Sequence, residues 1–237
     1  MSKSDIINNW YTKLPKSFQK STTDKTYAKH LIKNNAMILS VGATGAGKTN
    51  GSVIEFLHRT NGKWFEIIIY SGSNKKEPLY QYLEDQIHGI KLIDNPAELP
   101  KIEEFKESDL FDYPKLIVFD DSIYEEKKNL KQIERWFMCA RKANFTCIFL
   151  SQSFHATPVF IRRNAMYLQL FKVTDMRDMK TILSKYCMDI DINTLKNMLN
   201  YATVEKGNFL TIDINAPIES RYKKNFTQIL DPKEFLQ

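Results

Sequence analysis

Cysteine is scarce in this chain: the 237 residues hold Cys139, Cys147 and Cys187, an odd number with no C-x-x-C spacing. Neither a disulfide framework nor a zinc site is indicated, and buried free thiols are expected. No run approaches the roughly 18–20 apolar residues that a transmembrane helix needs. The polar start Met-Ser-Lys-Ser-Asp lacks the apolar core of a signal peptide. These absences point to a soluble, intracellular chain that is not secreted. There is no L-S-G-G-Q stretch, which disfavours the ABC class, and no lid-like arginine cluster or acceptor signature of a small-molecule kinase.

What is present suffices for a compact globule. Hydrophobic residues make up 43% and aromatic residues 12% of the chain, and the length suits one α/β domain with modest additions. The net charge of +6 is unevenly spread. Residues 1–35 carry seven Lys against two acids, residues 84–126 four basic against thirteen acidic residues, and residues 127–187 twelve basic against three acidic. Basic segments of this kind suit a polyanion such as nucleic acid, although a solvated surface would read the same way. Residues 1–35, with Trp10, Tyr11, Phe18 and Tyr27 among the lysines, form a basic N-terminal arm, ordered or partly mobile.

The most informative stretch runs from Ala36 to Thr49. An apolar run feeds into Gly42, Ala43, Thr44, Gly45, Ala46, Gly47, Lys48 and Thr49, which fit G-x-x-x-x-G-K-[ST] at every fixed position. A loop that wraps a polyphosphate must turn tightly enough for successive backbone N–H groups to point inward, and glycine permits this. Lys48 can then reach the β- and γ-phosphates, and Thr49 can hold Mg²⁺. The helix expected from Asn50 to Arg59 would set its N-terminal dipole against the anion. The alternative is a glycine-rich turn with no ligand, but a strand before the motif and a helical pattern after it favour the phosphate loop.

Further on, Trp64–Tyr70 reads as a buried strand and Ser71–Glu77 as a loop. Pro78–Gln86 reads as a helix, Ile90–Ile93 as a short strand and Pro96–Glu107 as an acidic helical stretch. Lys115-Leu-Ile-Val-Phe-Asp-Asp121 is an apolar strand ending in two carboxylates, some 70 residues after the loop. A carboxylate at a strand's C-terminal end can approach phosphates cradled by a neighbouring loop. Asp120 is the candidate Mg²⁺ residue, and Asp121 the candidate that orients or deprotonates the attacking water; alternatively the pair caps the next helix.

Lys127–Lys142 has helical spacing, with Leu130, Ile133, Trp136, Phe137 and Ala140 on a core-facing stripe. Asn144–Ser151 is another buried strand, and Gln152 at its exit could hydrogen-bond the attacking water or the γ-phosphate. Arg141 could serve a neighbouring subunit as an arginine finger, or simply complement its helix dipole. Lys127, Lys128, Lys131, Arg162 and Arg163 are candidate DNA contacts. Thr157–Asn164, Asp175–Tyr186 and Ile192–Tyr201 read as helices, Ala165–Lys172 as a strand, and Asn208–Ile214 as an antiparallel strand. Arg221, Lys223 and Lys224 read as a small basic patch in the tail.

The four blocks G-A-T-G-A-G-K-T, L-I-V-F-D-D, Cys139–Ser153 and Pro158–Asn164, in that order, resemble the FtsK/HerA superfamily of DNA-pumping ATPases. Within it the chain is most similar to the poxvirus-type genome-packaging ATPases of large DNA viruses, virophages and polinton-like elements. The resemblance covers about Ala36 to Tyr186. It implies an α/β P-loop NTPase fold of the ASCE, RecA-like kind, with a mostly parallel central sheet flanked by helices and a small C-terminal extension. The organisation would be an arm at 1–35, an ATPase core at 36–190 and an extension of the same domain at 191–237. It also implies that the Gln152 strand lies between the phosphate-loop and acidic strands. By family pattern, Lys48 and Thr49 bind nucleotide and metal, Asp120 holds the metal, and Asp121 takes a catalytic position that is Glu in many relatives. Gln152 falls on the sensor position and Arg141 on the trans-acting arginine. The implied activity is Mg-dependent ATP hydrolysis that drives double-stranded DNA into a capsid. The motor would be a homo-oligomeric ring, pentamer or hexamer, with sites between subunits. A capsid-vertex or internal-membrane partner and a host-cytoplasmic, viral-factory or virion-associated location would go with that role. A helicase or segregation ATPase of the same superfamily, and a nucleotide-regulated scaffold, remain the alternatives.

Overall fold

A computed structural model describes residues 24–72, 78–87, 89–105 and 112–236, together with Lys13 and Pro15. Most of the arm, the loop at 73–77 and the end of the acidic stretch at 106–107 lie outside the described residues. The part of the arm that is described, from Asp24 onward, packs onto the domain, with His30 and Ile32 buried.

In chain order the elements are β1 (Met37–Val41), a wide turn of helix (Thr49–Ile54), α1 (Glu55–Arg59), β2 (Glu66–Ser71), α2 (Pro78–Gln86), β3 (Ile90–Ile93) and β4 (Lys115–Asp120). Then come α3 (Lys127–Cys139), β5 (Phe145–Ser151), α4 (Val159–Asn164), β6 (Tyr167–Leu170), α5 (Met176–Tyr186) and α6 (Ile192–Ala202). The chain closes with β7 (Leu210–Asp213), α7 (Ile218–Arg221), β8 (Tyr222–Lys224) and β9 (Gln228–Ile229). One sheet in the order β3-β2-β4-β5-β1-β6-β7-β8-β9 runs through the domain. Neighbours from β3 to β6 pair in parallel, and β6 to β9 pair antiparallel.

The strand composition follows from burial on both faces. In β4, Ile117 and Phe119 face one core, with Trp136, Phe137 and Phe149, while Leu116 and Val118 face the other, with Phe56, Ile69 and Phe171. A sheet covered on both sides favours an unbroken apolar run over an alternating one. Inside the second layer the Ser40 and Ser52 hydroxyls both reach Gln169 Oε1, at 2.8 and 2.7 Å. This ties β1, the turn after the phosphate loop, and β6 at one point.

Four expectations are corrected. The helix after Lys48 opens as a π-type turn over Thr49–Ile54, with the Glu55 N–H bonded to Asn50 O. There Gly51 lies so close to the C-terminal part that a Cβ would stand 2.7 Å from Gly207 O and 2.9 Å from the Phe171 ring. The Pro96–Glu107 stretch is two short 3₁₀ turns, Pro96–Glu98 and Ile102–Phe105, because Pro100 supplies no N–H and biases Leu99 to extended backbone. Trp64 stands before β2 and donates its indole N–H to Thr60 Oγ1 at 2.8 Å. The basic tail patch does not form: Arg221 is buried and pairs with Asp189 at 2.7 Å, and the buried Lys223 donates to Ser220 O at 2.6 Å.

His30 yields a testable pH dependence. Its ring is fully buried edge-on to Phe56 at 5.3 Å and accepts the Ile32 N–H at 3.0 Å. Burial, with the Lys63 charge adding to it, lowers its pKa from 6.5 to about 4. The unfolded chain therefore takes up this proton before the folded chain does. The folded state is expected to lose stability, on the order of 2 kcal/mol after allowance for screening, as pH falls from about 6.5 towards about 4. Denaturant midpoints at pH 7.5 and 5 should differ in the wild type and differ less in His30→Gln.

Candidate nucleotide site

The site is built where β1, β4 and β5 end. Chain leaving β1 turns through Gly42–Thr49, with Gly45 and Gly47 at φ of 74° and 89°, a region costly for other residues. Lys48 reaches back over this turn, donating to Gly42 O at 2.8 Å and Ala43 O at 3.1 Å. Burial lowers its pKa, against the pull of Asp120 and Asp121.

β4 delivers Asp120 opposite Thr49, whose hydroxyl lies 3.4 Å from Asp120 Oδ2. Burial raises the pKa of Asp120; a hydrogen bond from Tyr80 opposes that, Asp121 adds to it and Lys48 opposes it. Tyr80, itself buried on α2, donates its hydroxyl to Asp120 Oδ2 at 2.5 Å. Asp121 follows directly in the left-handed conformation at φ 52°.

β5 lies between β4 and β1, so its exit residue stands between the phosphate loop and the acidic pair. The Gln152 amide donates to Asp121 Oδ1 at 2.6 Å, and its Oε1 accepts from the Thr44 hydroxyl at 2.9 Å. Thr44, Gln152 and Asp121 thus span the mouth of a cleft of about 410 Å³, with Lys48, Thr49, Asp120 and Tyr80 deeper in its wall. The segment after Gln152 is held by Asp178, whose buried carboxylate accepts the Phe154 and His155 N–H groups, each at 2.8 Å.

Thr49 and Asp120 offer oxygen donors, the chemistry that Mg²⁺ prefers, and no cluster of three His, Cys, Asp or Glu side chains occurs among the described residues. Such a donor pair fits an ion that completes its shell with water and phosphate oxygens rather than a protein cage.

Arg141 is not brought to this cleft. It is exposed in a 3₁₀ turn, Ala140–Ala143, at the start of β5, whereas Gln152 is at its end; seven strand residues separate the two by about 23 Å. Lys127, Lys128 and Lys131 are exposed on α3, and Arg163 is exposed on α4. Arg162, half-buried on α4, is partly engaged within the chain. Its Nε donates to Thr157 O at 3.0 Å, and its guanidinium covers the Phe154 ring at 5.1 Å.

Tyr80, Asp178 and Lys206 went unread in the sequence, and Lys206 also lines the cleft. Tyr80 and Asp178 sit in helices with no motif around them. The Lys206-Gly207-Asn208 turn carried the one available signal, a glycine-containing break before a strand.

Against protein families, residues 36–197 match the model described as zonular occludens toxin (Zot). The chain belongs to this family. No curated protein sequence matches it. Among solved structures, the genome-packaging NTPase B204 of Sulfolobus turreted icosahedral virus 2, bound to ATP-γ-S, is similar. It aligns at 17% identity with a TM-score of 0.55, over 83% of this chain and 98% of that one. A structure of ATPases 2 and 3 of EssC from Geobacillus thermodenitrificans aligns at 12% identity with a TM-score of 0.55, over 84% of this chain and 40% of that one. This Zot-family chain therefore has the α/β fold of P-loop ATPases, with the mostly parallel sheet expected from the FtsK/HerA resemblance. Its β5 strand is inserted between β1 and β4 as that resemblance required. Among the described residues, no helix is long and apolar enough to cross a membrane.

Proposed function

We propose that this protein hydrolyses ATP to translocate double-stranded DNA, packaging a viral genome into a capsid as a homo-oligomeric ring, pentamer or hexamer. The observation that carries the hydrolytic part is the hydrogen-bonded path from Thr44 through Gln152 to Asp121. It sets a water-orienting amide and a carboxylate beside a phosphate loop, the combination that phosphoryl transfer to water needs. Backbone N–H groups from Gly42 to Thr49 and the Lys48 ammonium hold the phosphates, and Asp121 accepts the proton of the attacking water. Thr49 and Asp120 hold Mg²⁺, which when bound offsets phosphate charge. Arg141, exposed at the far end of β5, serves the site of a neighbouring subunit. Lys127, Lys128, Lys131, Arg162 and Arg163 meet the DNA backbone.

The packaging role is supported by the family resemblance and by the near-full-length alignment with B204, described as a genome-packaging NTPase. The arm at 1–35, a capsid-vertex or internal-membrane partner, and a location in the host cytoplasm, the viral factory or the virion belong to the same reading. The test is steady-state ATP hydrolysis over a range of protein concentration, with blunt long duplex, forked duplex or no DNA. Turnover stimulated by blunt duplex and rising more than linearly with concentration is expected. Unwinding of the fork would instead establish a helicase, and indifference to DNA at every concentration a nucleotide-regulated scaffold.

A further inference from the structure

The loop between α6 and β7, residues Thr203 to Phe209, is fastened to the phosphate loop. The Gly207 N–H donates to Ala46 O at 3.1 Å, and the backbones approach so closely that a Cβ on Gly47 would stand 2.7 Å from Gly207 Cα. The loop is also fixed from its other sides. Thr203 Oγ1 donates to Leu199 O at 2.8 Å, and Asn208 is held by Glu205 at 2.9 Å and by Asn225 at 3.1 Å. This is a rigid wall standing against the nucleotide loop.

Lys206 projects from that wall into the cleft that holds Lys48, Thr49 and Asp120, and it also lines an adjoining cavity of about 390 Å³. No ion pair engages its ammonium among the described residues. The two cavities differ in chemistry. The first is lined by Lys48, Gly45, Gly47, Asp120 and Asp121. The second shares Thr44 and Gly45 with it and adds Lys172, Thr174, Thr203, Val204 and Glu205. The Glu205 carboxylate there can accept from a ribose hydroxyl or a base amine. Val204, 78% exposed, is the barest of the large apolar side chains among the described residues and offers a face for a planar ring.

We propose that the α6–β7 loop is the nucleoside-side wall of the nucleotide site. Lys206 is then a second phosphate-binding lysine, and Val204 lies against the base. This assignment rests on the reading of the P-loop as an ATP site. It makes the C-terminal part of the chain a component of that site rather than an appendage.

Calorimetric titration of the full chain with ADP and with pyrophosphate tests it, using Lys48→Ala, Lys206→Ala, Lys206→Arg and Val204→Glu. Lys206→Ala is expected to weaken both ligands roughly tenfold, as loss of a charged hydrogen bond does, and Lys206→Arg to recover most of that. Val204→Glu is expected to weaken ADP roughly tenfold and leave pyrophosphate within about twofold, because pyrophosphate has no base to lose. Wild-type ADP affinity in Lys206→Ala overturns the proposal, as does an equal loss of pyrophosphate and ADP in Val204→Glu. If the wild type binds neither ligand, or if Lys48→Ala binds both as the wild type does, the ATP reading itself fails.

Discussion

The Asp121→Asn chain is expected to bind ATP within about threefold of wild type while its kcat falls by roughly 10³-fold, the usual scale for losing a general base. Asp121 sits outside the buried core, at a left-handed turn just past β4, and its carboxylate accepts from the Gln152 amide at 2.6 Å. An asparagine there keeps the size and can still accept that hydrogen bond, so neither fold nor phosphate cradle should change. What disappears is the capacity to take a proton. Single-turnover and steady-state assays separate these effects: a fall in kcat with KM nearly constant marks chemistry, whereas a rise in KM alone would show that Asp121 only shapes the pocket. Unchanged kcat would remove Asp121 from the reaction.

The second large effect concerns Arg141, which the length of β5 keeps about 23 Å from the Gln152 of its own chain. Arg141→Ala alone is expected to lower turnover by roughly 10³-fold, the lower end of what an arginine finger contributes. Mixing Arg141→Ala with Asp121→Asn should then restore activity, although each is nearly inactive alone. In a head-to-tail ring, a subunit with an intact Asp121 can sit beside one with an intact Arg141. With equal amounts randomly assorted, about a quarter of the boundaries hold both, so about a quarter of wild-type turnover is expected. No recovery on mixing would mean that Arg141 acts within its own chain through the fold, or not at all. Wild-type activity in Arg141→Ala alone would end the shared-site reading.

The legibility of the site in the sequence follows from how each part is specified. The phosphate loop depends on backbone shape that only glycine adopts cheaply, so its residues are written at fixed spacing. β4 and β5 lie inside the sheet with both faces covered, and their apolar runs and polar exits could be read directly. Tyr80 is different: it meets Asp120 forty residues away in the chain, from a short helix whose sequence gives no hint of that contact. Asp178 looks like an ordinary first-turn acid of α5, yet its carboxylate is spent on two backbone amides of another segment. Arg221 and Lys223 mislead for the opposite reason. Charge counts along the chain register them as surface, but their strand and turn bury both and supply carbonyl and carboxylate partners. The family resemblance added what spacing could not, namely the position of β5 between its two neighbours.

The borders of the sheet carry a consequence for assembly. At one border stands β3, four residues long, whose Lys91 reaches the Glu66 carboxylate of β2 at 2.5 Å; at the other stands β9, two residues long and followed closely by Pro232. Short edges that carry a lysine or run into proline resist pairing with a further strand. In the proposed ring, such edges would favour contact through side chains and loops over an extended ladder of backbone hydrogen bonds. Contacts of that kind can tilt and re-form without breaking either partner's sheet, which is the mechanical freedom that neighbours in a cycling ring require.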